Sequence, residues 1–389
     1  MRIKSVRNLN GLSGKKVLLR LDLNVPIKNG KIKDDYKIVQ SLETVNFLIR
    51  KNAKIILISH LGRPDGKIVE SFSLSPVAAK ISDLLGKKIK IISDFEGFEA
   101  GNAVAKMDEG DVLMFENIRF HPGEDKNNRS FAKNLARLAD IYVNDAFAVS
   151  HRLSASVGCI KDYIPSYAGL LLEQEVLNLG RVLNPKKPLI LVMGGAKIST
   201  KIALMKNLEK KSYRILVGGG IANNFLAAHN FEIGRSLSDK ESIHLAEKLK
   251  DKKIIFPIDV VVSSKKDAWE PKVKILRDIN KDDYIFDIGP RTIKLCSDYI
   301  KKANTIIWNG PLGMFEVEKY KHGSIYIGRV IASRSKGRAF GVVGGGETVE
   351  AVKMTKMMDD IDWVSTGGGA MLTFLSGQKM PGLKGIVRR

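Results

Sequence analysis

Cysteine is scarce in this sequence, which has only Cys159 and Cys296 among its 389 residues. Two cysteines cannot form the disulfide framework that holds small secreted proteins together. The composition is 44% hydrophobic and 27% charged, which is ordinary for a globular protein with a sizeable core. We therefore expect a protein of the reducing cytoplasm, with two or three domains of roughly 150 residues each.

The N-terminal region lacks a long apolar run. Its first run, Val17–Leu19, is followed at once by Arg20 and Asp22. This is too short for a signal peptide or for a membrane-spanning helix. We therefore expect neither a secreted protein nor a membrane protein, and we expect no membrane partner.

Acidic residues are in deficit. The chain has 42 Asp and Glu against 64 Lys and Arg, which gives a formal net charge of +22. Such a surface attracts anions, either phosphorylated metabolites or nucleic acid. The lysines are spread along the chain and form no low-complexity tail, which is typical of a solvated surface. We therefore expect small anionic ligands and do not expect nucleic acid as a partner.

Two familiar nucleotide-binding motifs are missing. The chain contains no G-x-G-x-x-G, which argues against a Rossmann dehydrogenase. It also contains no G-x-x-x-x-G-K-[ST], which excludes an ordinary P-loop enzyme. Any nucleotide site must therefore be built from other segments.

Short apolar runs alternate with helix-like segments along the whole chain, which predicts parallel sheets covered by helices on both faces. The predicted strands are Val17–Leu23, Lys54–Ser59, Asp111–Phe115 and Ile141–Val143 in the first half, and Leu189–Met193, Arg214–Val217, Lys253–Ile258, Thr305–Trp308, Ala339–Val343 and Trp363–Ser365 in the second. Residues Leu171–Leu183 have helical apolar spacing, and Asn184-Pro185 ends that helix. We expect an α/β fold of two Rossmann-like parallel-sheet domains, residues 1–170 and 189–377, joined by a hinge helix within 171–188.

Polar side chains follow each predicted strand of the first half. They are Arg20, Asp22 and Asn24, then His60 and Arg63, then Arg119, and finally Asp145, His151 and Arg152. In open α/β sheets, ligands bind outside the carboxyl ends of the strands. Arginine binds phosphate or carboxylate with two parallel hydrogen bonds. The pattern predicts a pocket for a small hydroxylated anion, with alternation placing Arg20, Asp22 and Asn24 on one face of the first strand. Solvated arginines and a turn-capping Asp145 are the alternatives.

Four strands of the second half end in glycine turns, each followed by a helix-like segment. The turns are Gly194-Gly195, Gly218–Gly220, Gly344–Gly346 and Gly367–Gly369. Glycine lets backbone N–H groups approach a phosphate, and a helix N-terminus adds its dipole. One such turn has a steric explanation, since strand-to-helix turns often need glycine anyway. Four at equivalent places predict a nucleotide pocket.

Two further segments support that pocket. Lys197 and Lys201 are four residues apart at the predicted start of a helix, so we expect them to share one face and to point toward the same anion. Trp308–Glu316 supplies a strand, a tight turn and an acid, which suits a purine-ribose site with Glu316 on the ribose hydroxyls. An exposed helix face for the lysines and a surface position for Glu316 are the alternatives.

Nine segments, in order along the chain, resemble the signature segments of the phosphoglycerate kinase family. They are Arg20–Pro26, Ser59–Pro64, Glu116–His121, Tyr142–Phe147, Gly194–Lys201, Asp287–Pro290, Trp308–Glu316, Gly344–Thr348 and Ser365–Ala370. The resemblance covers essentially the whole chain. It implies reversible phosphoryl transfer between 1,3-bisphosphoglycerate and ADP, giving 3-phosphoglycerate and ATP. It also implies a magnesium-dependent, monomeric, cytoplasmic enzyme.

The resemblance implies a role for each matching residue. The groups expected to bind 3-phosphoglycerate are Asp22, Asn24, Lys37, His60, Arg63, Arg119 and Arg152. The groups expected to bind the nucleotide are Gly195, Ala196, Lys201, Gly219, Asn309, Pro311, Glu316, Gly346, Glu347 and Thr348. The catalytic groups at the migrating phosphoryl are expected to be Lys37, Lys197, Gly367, Gly368 and Gly369. Magnesium would be held through Glu347, and the C-terminal segment 378–389 would pack back on the first domain.

Three positions depart from the family pattern. Lys37 stands where the family has a catalytic arginine, and lysine lacks the planar fork. Glu347 stands where the family has an aspartate that holds magnesium. Ile285-Phe286 is bulkier than the family's usual residues beside the nucleotide. These departures leave one alternative open, a catalytically weak relative that binds nucleotide or nucleic acid through its basic surface.

Overall fold

The computed structural model describes residues 1–93, 95, 97–249, 252–264 and 270–388. The chain divides into two compact units. The first comprises Met1–Leu177 together with the C-terminal residues from Lys379 onward, and the second comprises Asn178–Gln378. The division falls inside a helix, Leu170–Leu183, which contributes residues to both units.

The first unit is built on a parallel sheet. Its strands are β1 Arg2–Ile3, β2 Lys16–Arg20, β3 Ile27–Lys28, β4 Lys31–Ile32, β5 Lys54–Ile58, β6 Lys90–Ile92, β7 Val112–Phe115, β8 Ile141–Asn144 and β9 Ser166–Ala168. Its helices are α1 Tyr36–Arg50, α2 Ser75–Leu85, α3 Phe98–Ala105 and α4 Arg129–Ala136, and α5 Leu170–Leu183 follows them. The sheet order is β6-β7-β5-β2-β8-β9, and every pairing in it is parallel.

The central strands of this sheet are buried on both faces, which explains their continuous apolar sequences. Leu19 and Leu57 pack into one core cluster with α1 and α2. Leu18 and Ile56, their neighbours in sequence, pack into a second cluster with α3 and α4 on the opposite face. Successive side chains of a strand point to opposite faces, so one apolar run serves two cores.

The N-terminus of helix α5 is capped by a buried carboxylate. Asp145, which follows β8, accepts a hydrogen bond from Leu172 N through Oδ1 at 2.9 Å. Thr44 Oγ1 accepts from Leu170 N at the same distance. Gly169 is required here, because a Cβ would lie 2.2 Å from Asp145 Oδ1. Asp145 therefore caps a helix, α5, whereas the sequence analysis considered a turn cap or a ligand contact. Burial raises the pKa of its carboxyl group to about 6.

The second unit repeats the parallel-sheet plan. Its strands are β10 Leu189–Met193, β11 Ser212–Val217, β12 Ile254–Ile255, β13 Asp259–Ser263, β14 Lys272–Ile275, β15 Tyr284–Ile288, β16 Thr305–Asn309, β17 Phe340–Gly344 and β18 Trp363–Ser365. Its helices are α6 Ile202–Glu209, α7 Gly219–Ala228, α8 Lys240–Glu247, α9 Pro290–Ile300, α10 His322–Gly337, α11 Gly346–Thr355 and α12 Gly368–Leu375. The main sheet is parallel in the order β12-β11-β10-β16-β17-β18. The α/β prediction is therefore confirmed.

A smaller antiparallel sheet, in the order β14-β13-β15, was not predicted. The strand predicted at Lys253–Ile258 is reduced to Ile254–Ile255. The chain then leaves the parallel sheet and enters β13, whose Val260 and Val262 pack against α7 through Leu226. A single apolar stretch is thus divided between two sheets.

The C-terminal residues belong to the first unit. Strand β19, Val387–Arg388, pairs antiparallel with β1. Asn144 Nδ2 donates to Gly382 O at 3.1 Å, and Lys161 Nζ donates to Pro381 O and to Lys384 O. Burial lowers the pKa of Lys161 to about 8. No helix in the described ranges combines the length and apolar character that crossing a membrane requires.

Asp145 generates a pH-dependent stability prediction. Because its pKa is raised to about 6 in the folded chain, its stabilising contribution is complete below its unfolded pKa and is lost as the pH rises through 6. Asp145→Asn should therefore gain stability over the wild type between pH 4 and pH 7, by about 3 kcal/mol at most. Denaturant titrations of both proteins across that range measure the difference.

The control is Asp83→Asn, which replaces an exposed carboxylate on α2. Its stability difference from the wild type should stay flat over the same range. A flat difference for Asp145→Asn as well would contradict the burial argument.

Candidate active site

The carboxyl ends of β7, β5, β2 and β8 meet at one edge of the first unit's sheet. The loops there are tied together by side chains. Ser59 Oγ donates to Leu21 O at 3.0 Å and accepts from Leu23 N at 2.9 Å. Asn24 Oδ1 accepts from Gly62 N at 3.0 Å. These bonds replace the sheet ladder, so β2 ends at Arg20, and the prediction that a strand carries Asp22 and Asn24 on the face of Arg20 is wrong.

Asp22 and Lys37 form an ion pair at this edge. Lys37 Nζ lies 2.7 Å from Asp22 Oδ2, and the Asp22 side chain is 8% exposed. Burial alone would raise the pKa of Asp22, but the positive charges of Lys37 and Arg20 outweigh it and hold the pKa below its usual value. Asp22 is therefore a carboxylate acceptor that also fixes the Lys37 ammonium.

Three arginines converge on the same edge. Arg119 is oriented by Asp125 Oδ1 at 3.1 Å and by Gly62 O, to which its Nη1 donates at 2.8 Å. Burial, followed by repulsion from the positive charges of Arg119 and Arg63, lowers the pKa of Arg152. An anion bound among them would relieve that repulsion.

His60 is held by Arg20, which the sequence placed near the site but gave no role. Arg20 Nη2 lies 3.3 Å from His60 Nδ1, and Arg20 Nε donates to Ser156 Oγ at 2.9 Å. Both side chains are 2% exposed. Arginine is only a donor, so Nδ1 must be the acceptor and the ring proton must lie on Nε2. Burial and the Arg20 charge hold the pKa of His60 well below its usual value, which keeps the ring neutral.

Arg20 is in turn anchored by a buried acid. Glu124 is 1% exposed and accepts from Ser156 N at 2.9 Å and from Ser156 Oγ at 2.6 Å. The opposing charge of Glu124 favours the charged form of Arg20, although burial lowers the pKa of the guanidinium group. The one sequence signal for this role is a charged residue at the end of an apolar strand.

The glycine turns of the second unit follow β10, β11, β17 and β18, and the Asn309–Glu316 segment follows β16 between them. Two close approaches explain part of the glycine content. A Cβ at Gly194 would lie 1.9 Å from Pro311 O, and one at Gly368 would lie 2.6 Å from Gly345 Cα. Gly346 has no such neighbour, so its place in the first turn of α11 is set by something other than packing within the chain.

Lys197 and Lys201 do not share a helix face, so that prediction is wrong. Helix α6 begins only at Ile202, after a turn. Lys197 is exposed, whereas Lys201 is buried with its Nζ donating to Gly194 O and to Asn309 O. Burial lowers the pKa of Lys201 to about 8, although the Glu347 carboxylate opposes the shift. Carbonyl groups from two loops, rather than helix periodicity, decide the direction of this side chain.

A cavity of about 700 Å³ opens at this edge of the second unit. The predicted nucleotide residues in its lining are Gly195, Ala196, Gly219, Pro311, Glu316 and Glu347. The lining also includes Ile285 and Phe286, the bulky pair noted in the sequence. Phe286 packs on Tyr320 with ring centroids 4.8 Å apart, and this contact restricts the position of the Phe286 side chain.

Asn309 and Thr348 connect the loops around the cavity. Asn309 Nδ2 donates to Gly344 O at 2.6 Å, and Thr348 Oγ1 accepts from Gly310 N at 2.6 Å. Asp287 accepts from Gly323 N at 2.7 Å and from Ile288 N at 2.9 Å, and burial raises its pKa to about 7. These buried side chains fix the shape of the edge.

Glu347 is the candidate metal ligand. It is exposed in the first turn of α11 and lines the cavity. Within the described ranges, no group of three or more His, Cys, Asp or Glu side chains could enclose a metal ion. Magnesium typically binds through one or two carboxylates plus substrate phosphates, so a single carboxylate beside a nucleotide cavity fits it.

The His60 arrangement can be tested by nitrogen NMR. We expect Nδ1 to be unprotonated and Nε2 to be protonated from pH 6 to pH 8, because Arg20 donates to Nδ1. The signal is assigned by its loss in His60→Asn. Arg20→Lys should produce a mixture of the two tautomers, whereas Arg137→Lys, at an exposed arginine, should change nothing. A protonated Nδ1 in the wild type would contradict the arrangement.

Comparison with known proteins agrees with this geometry. The profile of the phosphoglycerate kinase family matches residues 6–378. The chain is 41% identical over 392 residues to a phosphoglycerate kinase of Pelotomaculum thermopropionicum, covering 99% of each chain. It is 43% identical to that of Borrelia garinii subsp. bavariensis, again covering 99% of each.

Solved structures give the same result. The phosphoglycerate kinase of Coxiella burnetii superposes with a TM-score of 0.86 at 40% identity, covering 98% of both chains. That of Pyrococcus horikoshii superposes with a TM-score of 0.85 at 30% identity, covering 98% of this chain and 97% of the other. With a family match along most of its length, an arginine-rich edge on one unit and a glycine-rich edge on the other, the chain belongs to the phosphoglycerate kinase family.

Proposed function

We propose how this chain performs the reaction of its family, the reversible transfer of a phosphoryl group between 1,3-bisphosphoglycerate and ADP that gives 3-phosphoglycerate and ATP. The observation that supports the proposal is that each unit carries its own kind of binding edge. Cations and hydrogen-bonding side chains gather at the carboxyl edge of one parallel sheet, and glycine turns surround a cavity at the carboxyl edge of the other.

The glycerate substrate is assigned to the first unit. Arg63, Arg119 and Arg152 hold its non-migrating phosphate, because the positive charges of Arg119 and Arg63 act on Arg152 and together favour a bound dianion. Asp22 accepts from the substrate hydroxyl, and His60 donates to an oxygen from Nε2. Asn24 supplies its Nδ2, since its Oδ1 already accepts from Gly62 N.

The nucleotide is assigned to the second unit. Its base and ribose occupy the cavity, with Glu316 on the ribose hydroxyls and Gly195, Ala196, Gly219 and Pro311 along the walls. Its phosphates approach Lys201 and the backbone N–H groups of Gly346, Glu347 and Thr348, with Asn309 maintaining the loops. Glu347 and the nucleotide phosphates would hold magnesium, which would supply charge neutralisation.

The transfer step is direct and in line. An oxygen of the ADP β-phosphate forms a bond to the phosphorus of the acyl phosphate, and the bond from that phosphorus to the acyl oxygen breaks. The substrate leaves as a carboxylate, so no proton is moved. The protein positions the reactants and neutralises the equatorial oxygens. Lys37, Lys197 and the amides of Gly367, Gly368 and Gly369 are assigned that role.

Movement of the two units is part of this proposal. The substrates are assigned to different units, so transfer requires that the units bring them together and exclude water. Helix α5 is the proposed hinge because the division between the units falls within it. We further propose that the enzyme acts as a cytoplasmic monomer.

Lys197→Ala tests the transfer step. The side chain is exposed, so the fold should be retained. Turnover should fall by about 10²–10³ because one cation at the equatorial oxygens is lost, while the KM for ADP should change little. Lys206→Ala, at an exposed lysine on α6, is the matched control in a coupled assay. Near-normal turnover of Lys197→Ala would remove this residue from the mechanism.

The family departures are tested by restoring the family residues. Lys37→Arg should raise turnover severalfold, because arginine can keep its contact with Asp22 while a second N–H group reaches the phosphoryl. Glu347→Asp should raise the ratio of magnesium to manganese activity, since a shorter carboxylate restores the tighter geometry that magnesium demands. Lys33→Arg controls for the first change. No response to either reversion would mean that the departures are already compensated, and negligible wild-type turnover would favour the weak relative.

A further inference from the structure

Basic residues precede neighbouring strands at the amino-terminal edge of the second unit's parallel sheet. In sheet order they are Lys252 before β12, Lys210 before β11, Lys186 and Lys187 before β10, Lys301 and Lys302 before β16, and Lys336 and Arg338 before β17. We name these exposed residues the basic rim. At roughly 4.8 Å per strand, the rim extends about 19 Å across the sheet.

Helix capping accounts for a separate set of lysines at this edge. Helices that cover a parallel sheet end where its strands begin, and cations stabilise helix C-termini. Lys211 Nζ donates to the carbonyl of Leu183, the last residue of α5, and Lys253 Nζ donates to that of Glu209, the last residue of α6. Both lysines are half-buried. The rim residues Lys210 and Lys252 directly precede them in sequence and are exposed.

Few ion pairs form within the rim. Among the described residues, Lys336 is the one rim member in an ion pair, with Asp360 at 3.0 Å. Asp360 precedes β18, where the run of basic residues ends. The remaining positive charges are therefore available to an external anion.

The equivalent edge of the first unit is different, although it has the same helix ends and the same lysine-rich composition. Lys87 and Lys88 precede β6, Lys51 precedes β5 and Lys15 precedes β2. Strand β7, which lies between β6 and β5, is preceded by exposed Asp108, Glu109 and Asp111, and β8 is preceded by Asp140. Acids thus interrupt that edge, so composition alone does not produce a continuous rim.

Aromatic rings lie within the rim. Tyr213 is 41% exposed, three residues after Lys210, and its ring centroid is 6.2 Å from that of Tyr299, which precedes Lys301. The Arg214 guanidinium lies 4.5 Å from the Tyr213 ring and 5.5 Å from the Tyr299 ring. An exposed tyrosine ring in a row of cations is typical of surfaces that stack bases while tracking a phosphate backbone.

We propose that the basic rim is a binding surface for single-stranded nucleic acid, with its lysines on successive phosphates and Tyr213 stacked on a base. Its length suits the short segments that such surfaces engage. An acidic protein or an anionic membrane would use the charge but would not need a stacking ring. The rim lies at the opposite edge of the sheet from the nucleotide cavity, and β10 separates the two by roughly 17 Å. Binding at the rim is therefore compatible with catalysis.

The test uses matched charge variants of the full chain. The rim variant carries Lys186→Gln, Lys210→Gln, Lys301→Gln and Lys302→Gln. The control carries Lys15→Gln, Lys51→Gln, Lys87→Gln and Lys88→Gln, which remove the same charge from the equivalent edge of the first unit. Fluorescence anisotropy of a labelled 15-nucleotide poly(U) RNA is measured between 50 and 200 mM salt, and kinase activity verifies that both variants are folded.

The rim variant should bind the RNA at least tenfold more weakly, and the slope of log K against log salt should fall by about 3. The control variant should change affinity less than twofold. Tyr213→Leu should weaken binding severalfold without changing the salt slope, because it removes stacking and no charge. Saturating ATP should not displace the RNA.

Several outcomes would overturn the proposal. Equal losses in the rim and control variants would mean diffuse attraction to a basic protein. Displacement of the RNA by ATP would place it in the nucleotide cavity. An unchanged RNA affinity of Tyr213→Leu would show that Tyr213 does not stack on a base, and the reason to prefer nucleic acid as the ligand would be lost. Rim-dependent binding to phosphatidylserine vesicles without binding to RNA would assign the surface to a membrane.

Discussion

Parallel pairing is the constraint on which this molecule depends. In a parallel sheet all strands begin at one edge and end at the other, so each loop type is gathered in one place. The carboxyl edge of the second unit collects the glycine turns and the Asn309–Glu316 segment, whereas its amino edge collects the basic rim. The first unit applies the same rule to Asp22, His60 and the arginines. In both units, the edge of the sheet at which a residue lies therefore decides which other functional residues it meets.

The same constraint explains how much of the fold was predictable. A central parallel strand is buried on both faces and appears as a continuous apolar run, so Leu189–Met193 was predicted with the bounds that β10 has. The edge strand β18, Trp363–Ser365, was also predicted with its bounds. Strand β6, Lys90–Ile92, is partly exposed, and β14 contains two lysines, so neither gives such a run. Their strand state comes from pairing with distant partners, which local sequence does not encode.

The sequence predicted which residues lie at the site but not the directions in which their side chains point. Residue types at strand ends predicted an anion edge and a nucleotide edge, because those types have few other reasons to recur there. The direction of Lys201 depends on the carbonyls of Gly194 and Asn309, which two different loops bring together. The role of Arg20 depends on Ser156 and Glu124, more than a hundred residues away. Spacing within one segment contains no information on such contacts.

The two kinds of positive charge in this chain differ in how they are held. At the first unit's carboxyl edge three cations have a fixed protein partner: Lys37 has Asp22, Arg119 has Asp125, and Arg20 has Ser156. Such cations are preorganised, so little conformational entropy is lost when a small anion binds. Apart from Lys336, the rim lysines form no ion pair within the described part of the chain and keep their side-chain freedom, which suits a long, variable polyanion that gains affinity from counterion release. The net charge of +22 therefore does not by itself predict which anions bind. Binding depends on whether the neighbouring residues fix each cation or leave it free.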